Sequence, residues 1–78
     1  MIWIAIQVSF GFEVVAGDDL EWVCEKAGIS EQILEEKFAA NYRIEVWNGE
    51  KQWVVEQVPL DRLQIVINDA LQSRKSKF

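Results

Sequence analysis

Residues Trp22 to Leu34 read WVCEKAGISEQIL, and this run constrains the fold more than any other stretch of the chain. Leu20, Val23, Cys24 and Ala27 recur at helical spacing, so one stripe of a first helix packs inward. Gly28 supplies the left-handed residue that closes a helix, and Ile29 follows as a plug returning to the core. Ser30 is placed to cap a second helix whose buried stripe is Ile33, Leu34 and Phe38. Ile29 and Leu34 are spaced as a hydrophobic staple. Asn41 is the expected end of this helix. Two short helices joined by a tight turn are therefore expected here. Asp18 followed by Glu21 resembles a capping box at the start of the first helix, and acids suit the positive end of its dipole.

Alternation governs the flanking segments. Ile2, Ile4, Ile6, Val8 and Phe10 alternate with Trp3, Ala5, Gln7 and Ser9, which is a strand period. Its second side is also partly apolar, so the strand is expected to be covered on both faces. Gly11 interrupts it. Phe12 to Ala16 either continues the strand past a bulge or returns as a second one. Tyr42 to Trp47 alternate again, and Asn48-Gly49 is a strong hairpin signal. The return strand runs from about Lys51 to Val58. A two-residue Asn-Gly turn sets Ile44 opposite Trp53 and Tyr42 opposite Val55. A four-residue turn shifts the pairs and keeps the faces, whereas a three-residue turn does not. In the preferred register Tyr42, Ile44, Val46, Trp53 and Val55 face the core, and Arg43, Glu45, Trp47, Gln52, Val54 and Glu56 face outward.

Pro59 ends that strand, because it cannot donate to a ladder. Leu60, Leu63, Val66, Ile67, Ala70 and Leu71 then follow helical spacing, with Asp61 as the cap. The run LQIVI also alternates, but the longer pattern favours a helix over 60–72. The reading is one α+β domain over 1–72, in the order β-α-α-β-β-α, followed by a basic flexible tail over 73–78.

Charge separates the classes of function. The chain carries 13 acids and 8 bases, a net charge of −5. Three of the bases, Arg74, Lys75 and Lys77, fall in the last five residues, leaving five bases against thirteen acids elsewhere. From Glu13 to Glu36 there are eight acids and one base, Lys26. Such a body favours a basic partner over nucleic acid or an anionic membrane. The chain has no histidine and a single cysteine, Cys24, so neither a Cys/His zinc site nor an internal disulfide is expected. No nucleophile–histidine pair can form, the neighbouring carboxylates Asp18-Asp19 and Glu35-Glu36 point apart, and the four glycines fit no phosphate loop. A non-enzymatic protein without cofactor or metal is expected. Cys24, on a helix stripe, reads as a small core residue. The alternating start, MIWIAIQVSF, reads as a strand rather than a leader, no run approaches a membrane span, and a reducing cytoplasmic setting is expected.

The run VCEKAGISEQIL, Val23 to Leu34, resembles the helix-turn-helix signature of MerR-like regulators. The Asn48-Gly49 hairpin stands where such folds place a wing, and Pro59 to Leu71 where they place the next helix. Within that group the chain looks most like the CbpM-like modulators, small proteins that bind the J-domain of a DnaJ-like co-chaperone. The resemblance implies a winged helix-turn-helix-like fold and a docking role that inhibits the partner, since a J-domain offers a basic helix to its Hsp70. The long C-terminal helix of such modulators has no counterpart in these residues, and the oligomeric state, a homodimer included, stays open.

A DNA reader lines its second helix with Arg, Lys, Asn or Gln. Here that helix reads SEQILEEKFAAN, and Glu31, Glu35 and Glu36 would face phosphates. Direct DNA binding is therefore disfavoured. The candidate partner-binding residues are Trp22, Glu31, Glu35, Glu36 and Trp47. Exposed tryptophans are enriched among binding anchors. Their ordinary alternatives are that Trp22 packs on the first strand, that Trp47 covers a neighbouring side chain, and that the acids are a solvated surface. Trp3 and Trp53 read as core. Two other functions use the same features: a small inhibitor, such as a phage could encode, that mimics DNA charge and blocks a nucleic-acid-binding protein, and a winged-helix transcription regulator.

Overall fold

β1 (Ile2–Gln7) carries apolar side chains on both faces, and the rest of the chain is arranged around it. In the computed structural model, which describes residues 1–9, 11–38 and 43–75, β1 lies inside a four-stranded antiparallel sheet. The other strands are β2 (Glu13–Gly17), β3 (Arg43–Asn48) and β4 (Lys51–Val58), and the spatial order is β2-β1-β4-β3. Helices α1 (Leu20–Ala27) and α2 (Glu31–Phe38) follow β2, and α3 (Leu63–Lys75) follows a 3-10 turn at Leu60–Arg62. The fold is α+β.

Phe12 to Ala16 is resolved as a return. Gly11, at φ 50°, lies in the turn, and β2 runs antiparallel to β1 with Ile4 opposite Ala16 and Ile6 opposite Val14. The order is thus β-β-α-α-β-β-α rather than β-α-α-β-β-α. A glycine serves a bulge and a turn equally well, which is why the sequence left both open.

Two cores lie on opposite faces of the sheet. On one, Ala5, Trp53, Val55, Ile44 and Val46 pack with Val23, Cys24, Ala27, Ile29 and Leu34 of the α1–α2 layer. On the other, Ile4, Ile6 and Val58 pack with Val14 and Ala16 of β2 and with Leu63, Val66, Ile67 and Ala70 of α3. Coverage of both faces corrects one assignment: Val54, expected to face outward, is buried on the α3 side, opposite Ile6. Trp53 belongs to the core, and Trp3 packs against that cluster from a partly buried position.

The turn between α1 and α2 has the expected form. Gly28 is left-handed (φ 72°, ψ 32°). Its N–H donates to the Glu25 carbonyl at 3.3 Å, and the Ile29 N–H donates to the Cys24 carbonyl at 2.9 Å. These two bonds satisfy carbonyls that the helix end would otherwise orphan, and Ile29 enters the core beside Cys24 and Leu34. The cap of α1 is Asp19, not Asp18: its carboxylate accepts from the Glu21 N–H at 3.1 Å. At α2 the Ser30 carbonyl accepts from the Leu34 N–H at 3.3 Å. The expected helix end at Asn41 and the core position of Tyr42 lie outside the described residues.

The β3–β4 hairpin pairs Asn48 with Lys51, Val46 with Trp53 and Ile44 with Val55. The loop residues are Gly49, at φ 64°, and Glu50, so the pairing is displaced by two from the Asn48-Gly49 turn that sets Ile44 opposite Trp53. A shift of two preserves every face, as the burial of Ile44, Val46, Trp53 and Val55 shows. Asn48 is thereby freed to lie against the elbow: a Cβ on Gly28 would stand 2.7 Å from Asn48 Nδ2.

Beyond Pro59 the chain makes a 3-10 turn, closed by the Arg62 N–H on the Pro59 carbonyl at 3.0 Å, before α3 begins at Leu63. Leu60 is consequently exposed rather than part of the stripe, and Asp61 sits inside the turn rather than capping the helix. α3 runs to Lys75, so 73–75, expected to belong to a flexible tail, continue the helix.

A buried polar group ties β1 to the hairpin. Gln7 is fully buried; its Oε1 accepts from the Ser9 N–H at 2.7 Å and its Nε2 donates to Glu13 Oε1 at 3.2 Å. Ser9 Oγ in turn accepts from the Gln52 N–H at 2.9 Å, while the Val8 N–H donates to the Gln52 carbonyl at 2.9 Å. Gln7 is thus a satisfied core amide.

Gly28→Ala is expected to destabilise the fold by roughly 1–2 kcal/mol from the left-handed backbone alone, with a further loss from the contact with Asn48. Urea denaturation checks this. The same change in an Asn48→Ala background should cost less, because only the backbone part remains.

Candidate functional site: the acidic α1–α2 layer

The turn at Gly28 folds α2 back beside α1, and this brings acids distant in sequence into one patch. Asp19 and Glu21 stand at the start of α1, where the helix dipole and the cap favour carboxylates. Glu31 and Glu35 lie one turn apart on α2. Glu31 reports the crowding. Its carboxyl is held above the ordinary value of 4.5, first by partial burial, then by the charges of Glu35, Glu21 and Asp19, and by a hydrogen bond shared with Glu35. Glu35 and Glu36 are exposed. Lys26, the base on α1, stands 5.9 Å from the centroid of the Trp22 ring, at the outer reach of a cation–π contact.

Trp22 is half-exposed at 44% and lies against the end of β2. Gly17 makes this approach possible, since a Cβ there would meet Trp22 Cε3 at 3.0 Å and Cζ3 at 3.2 Å. One side of the ring is therefore packed on the β2 edge of the sheet, whereas α2 with its acids lies toward β3. Trp22 partly takes its ordinary role, with β2 rather than β1 beneath it.

Trp47 does not join this site. It is 64% exposed, and the β3 register puts it on the pleat face of Arg43 and Glu45, opposite to Ile44 and Val46. Ile44 and Val46 pack under the α1–α2 layer, whereas Glu45 borders α3. The five candidates thus divide: Trp22, Glu31, Glu35 and Glu36 lie on one side of the sheet and Trp47 on the other. Sequence alternation showed that Trp47 points away from the main core, but not that a second helix shares that side. Asp19 and Glu21 belong to the patch and were not singled out; the tight turn that returns α2 to α1 was the available signal.

Cys24 is buried beneath the patch. Burial, and then the charges of Glu31 and Glu35, push its thiol up to about 11. It is an inert core thiol at neutral pH. The ion pair between Lys51 Nζ and Glu13 Oε1 (3.2 Å) lies elsewhere, and with Gln7 it lowers the Glu13 carboxyl. Both partners are about half-exposed, so the pair contributes little.

Among the described residues, no group of three Asp, Glu or Cys side chains is arranged to hold a metal ion. No described helix is long and apolar enough to cross a membrane. Comparison with family models, with curated proteins and with solved structures found no match to this chain.

The raised Glu31 carboxyl makes a pH prediction. Folding takes up a proton here between 4.5 and the raised value, so the contribution of Glu31 is greatest below 4.5 and is lost as pH rises through the raised value. Glu31→Gln should therefore raise the melting temperature at neutral pH, and the advantage should vanish below 4.5. A pH series of thermal denaturation checks this. Glu13 works in the opposite sense: its contribution is present above 4.5 and is lost as pH falls through its lowered value. Cys24 should resist alkylation in the folded protein at mildly alkaline pH and react freely once the chain is unfolded, as a thiol-reagent time course would read.

Proposed function

We propose that this chain is a non-enzymatic protein-binding modulator that docks its acidic α1–α2 layer on a basic partner. The observation that carries the reading is the convergence of Asp19, Glu21, Glu31 and Glu35 on one patch beside the half-exposed Trp22. Burial first, and then repulsion from Glu35, Glu21 and Asp19, raises the Glu31 carboxyl, and a cationic partner would relieve the repulsive part. Long-range attraction would speed the encounter, and the Trp22 ring, exposed on the same layer, would supply apolar contact. Glu35 and Glu36, exposed on the same helix, extend the patch.

The winged helix-turn-helix-like reading belongs with this proposal. It is supported by the left-handed Gly28 turn between two short helices and by the hairpin and helix that follow. In that frame α2 stands where a DNA reader places its recognition helix, and its acids favour a protein with a basic helix over DNA. A J-domain is one such partner, and occupying its basic helix would inhibit the co-chaperone. A cytoplasmic setting goes with that partner.

The test is affinity capture from host lysate with the wild-type chain and with Glu35→Lys/Glu36→Lys as control, followed by affinity measurement on the captured protein. Reversal of Glu31, Glu35 and Glu36 together is expected to weaken binding at least tenfold, about 1.4 kcal/mol, and Trp22→Ala to weaken it further. An affinity that survives the triple reversal would sink the proposal. Displacement of the captured protein by added DNA would instead mark the chain as a charge mimic directed at a nucleic-acid-binding protein. A gel-shift complex with DNA alone at low salt would mark a transcription regulator.

A further inference from the structure

The two faces of the sheet are unequally covered. On one, α1 and α2 together span it, with α1 against β1 and β2 and α2 against β3. On the other, among the described residues, there is a single helix, α3, seated over β1 and sharing a core with β2 and with Val58 at the end of β4. Four strands spaced about 4.8 Å apart present a surface wide enough for two helices about 10 Å across. The β3–β4 half of this face is therefore left as a groove beside α3. Its volume is about 490 Å³; Ile6, Val8, Val54, Val66 and Ala70 form its apolar lining, and Arg43, Glu45, Gln52, Glu56 and Asp69 its polar one.

We propose that this groove is a second docking surface, which takes one amphipathic helix of a different protein, with an apolar stripe and flanking Lys or Arg. A helix laid beside α3 at the usual 8–10 Å axial spacing would cover β3 and β4 and complete the layer. Two large apolar side chains are exposed where that helix would border them. Trp47, on the β3 side, shares the pleat face of Glu45. Ile65, 52% exposed, lies one turn before Asp69 on α3. The charge selects the occupant. Arg43 and Glu56 are cross-strand partners and offset each other. Glu45, which accepts only a long bond from Gln52 Nε2 at 3.4 Å, and Asp69 then leave the groove net acidic, and the ion pair Lys51–Glu13 involves neither. A second copy of this chain is a poor occupant: its α1 and α2 carry mainly acids, and the outer side of α3 offers Ile65 alone among the polar Gln64, Asn68 and Gln72, with no Lys or Arg between them.

This surface is independent of the α1–α2 patch, and the test separates them. The probe is a labelled amphipathic Leu/Lys peptide of about 18 residues, long enough to be helical. It is titrated into the full chain at about 0.15 M salt, where the Debye length is about 8 Å. Binding is followed by anisotropy and by backbone amide shifts. The expected result is a set of shifts on β3, β4 and α3 that persists when Glu31, Glu35 and Glu36 are reversed to Lys and the α1–α2 patch no longer attracts the peptide. Trp47→Ala and Asp69→Lys, both surface changes, should each weaken binding there at least tenfold, about 1.4 kcal/mol. The triple reversal of Glu31, Glu35 and Glu36 should leave it within about threefold, about 0.65 kcal/mol. Shifts on α1 and α2 alone, loss of the β3, β4 and α3 shifts on the triple reversal, equal shifts there with a scrambled peptide of the same charge, or no binding at all would each overturn the proposal. Self-association of the chain that Trp47→Ala abolishes would overturn it too, by naming a second copy as the occupant.

Discussion

The antiparallel pairing of β1 with β4 joins two local hairpins into one sheet, and everything else in the molecule hangs on it. β1 with β2, and β3 with β4, are each contacts between sequence neighbours. A two-stranded hairpin is marginal on its own in water. The β1–β4 pairing, from Ile2 opposite Val58 to Gln7 opposite Trp53, is the long-range step. It sets Ala5 beside Val55 on one face and Ile6 beside Val54 on the other, and so founds both cores at once. The Ser9 hydroxyl, accepting from the Gln52 N–H, fixes the register at the end where β1 leaves the sheet.

Much of this was legible because alternation and turn chemistry are local. Apolar residues on both faces of β1 implied cover on both sides, and α1–α2 and α3 supply it. Gly28 and Ile29 announced a helix end that plugs back into the core. The hairpin faces were readable although its pairs were not: Asn-Gly marks a turn, but the position of the loop within it was decided by Asn48, which extends the ladder and packs on Gly28. Asn48 lies 20 residues after Gly28, and no local signal encodes that contact. Leu60 was misplaced for a related reason. Its spacing suited the stripe of α3, but Pro59 holds an extended backbone (φ −63°, ψ 146°) and the first turn after it is 3-10, so the helical phase starts three residues later.

The candidate site divides along the same line between local and long-range information. Glu31, Glu35 and Glu36 share a helix, and their adjacency could be read from spacing. That Asp19 and Glu21 join them depends on the turn geometry. Trp47 was grouped with these acids because all were expected outside the main core, yet outside has two sides in a sheet covered twice. Which strands α3 covers follows from the order β2-β1-β4-β3, and that order is invisible to periodicity. The groove beside α3 could not have been anticipated without it.

The energetics of the two surfaces point the same way. A 78-residue domain has little stability to spare. Partly burying Glu31 and holding it near Glu35, Glu21 and Asp19 raises its carboxyl and works against folding at neutral pH, because its charge is both desolvated and confined near the others. Leaving Trp47 and Ile65 exposed likewise forgoes burial that a longer β3–β4 cover would provide. Neither feature is required by the core, which closes through Ala5, Val55, Trp53 and Leu34 on one face and Ile4, Ile6 and Val58 on the other. Features that cost stability and that packing does not demand are expected where a protein meets its partners. A cation against α1–α2 and a helix beside α3 would each restore what the isolated chain lacks, one in charge and the other in apolar cover.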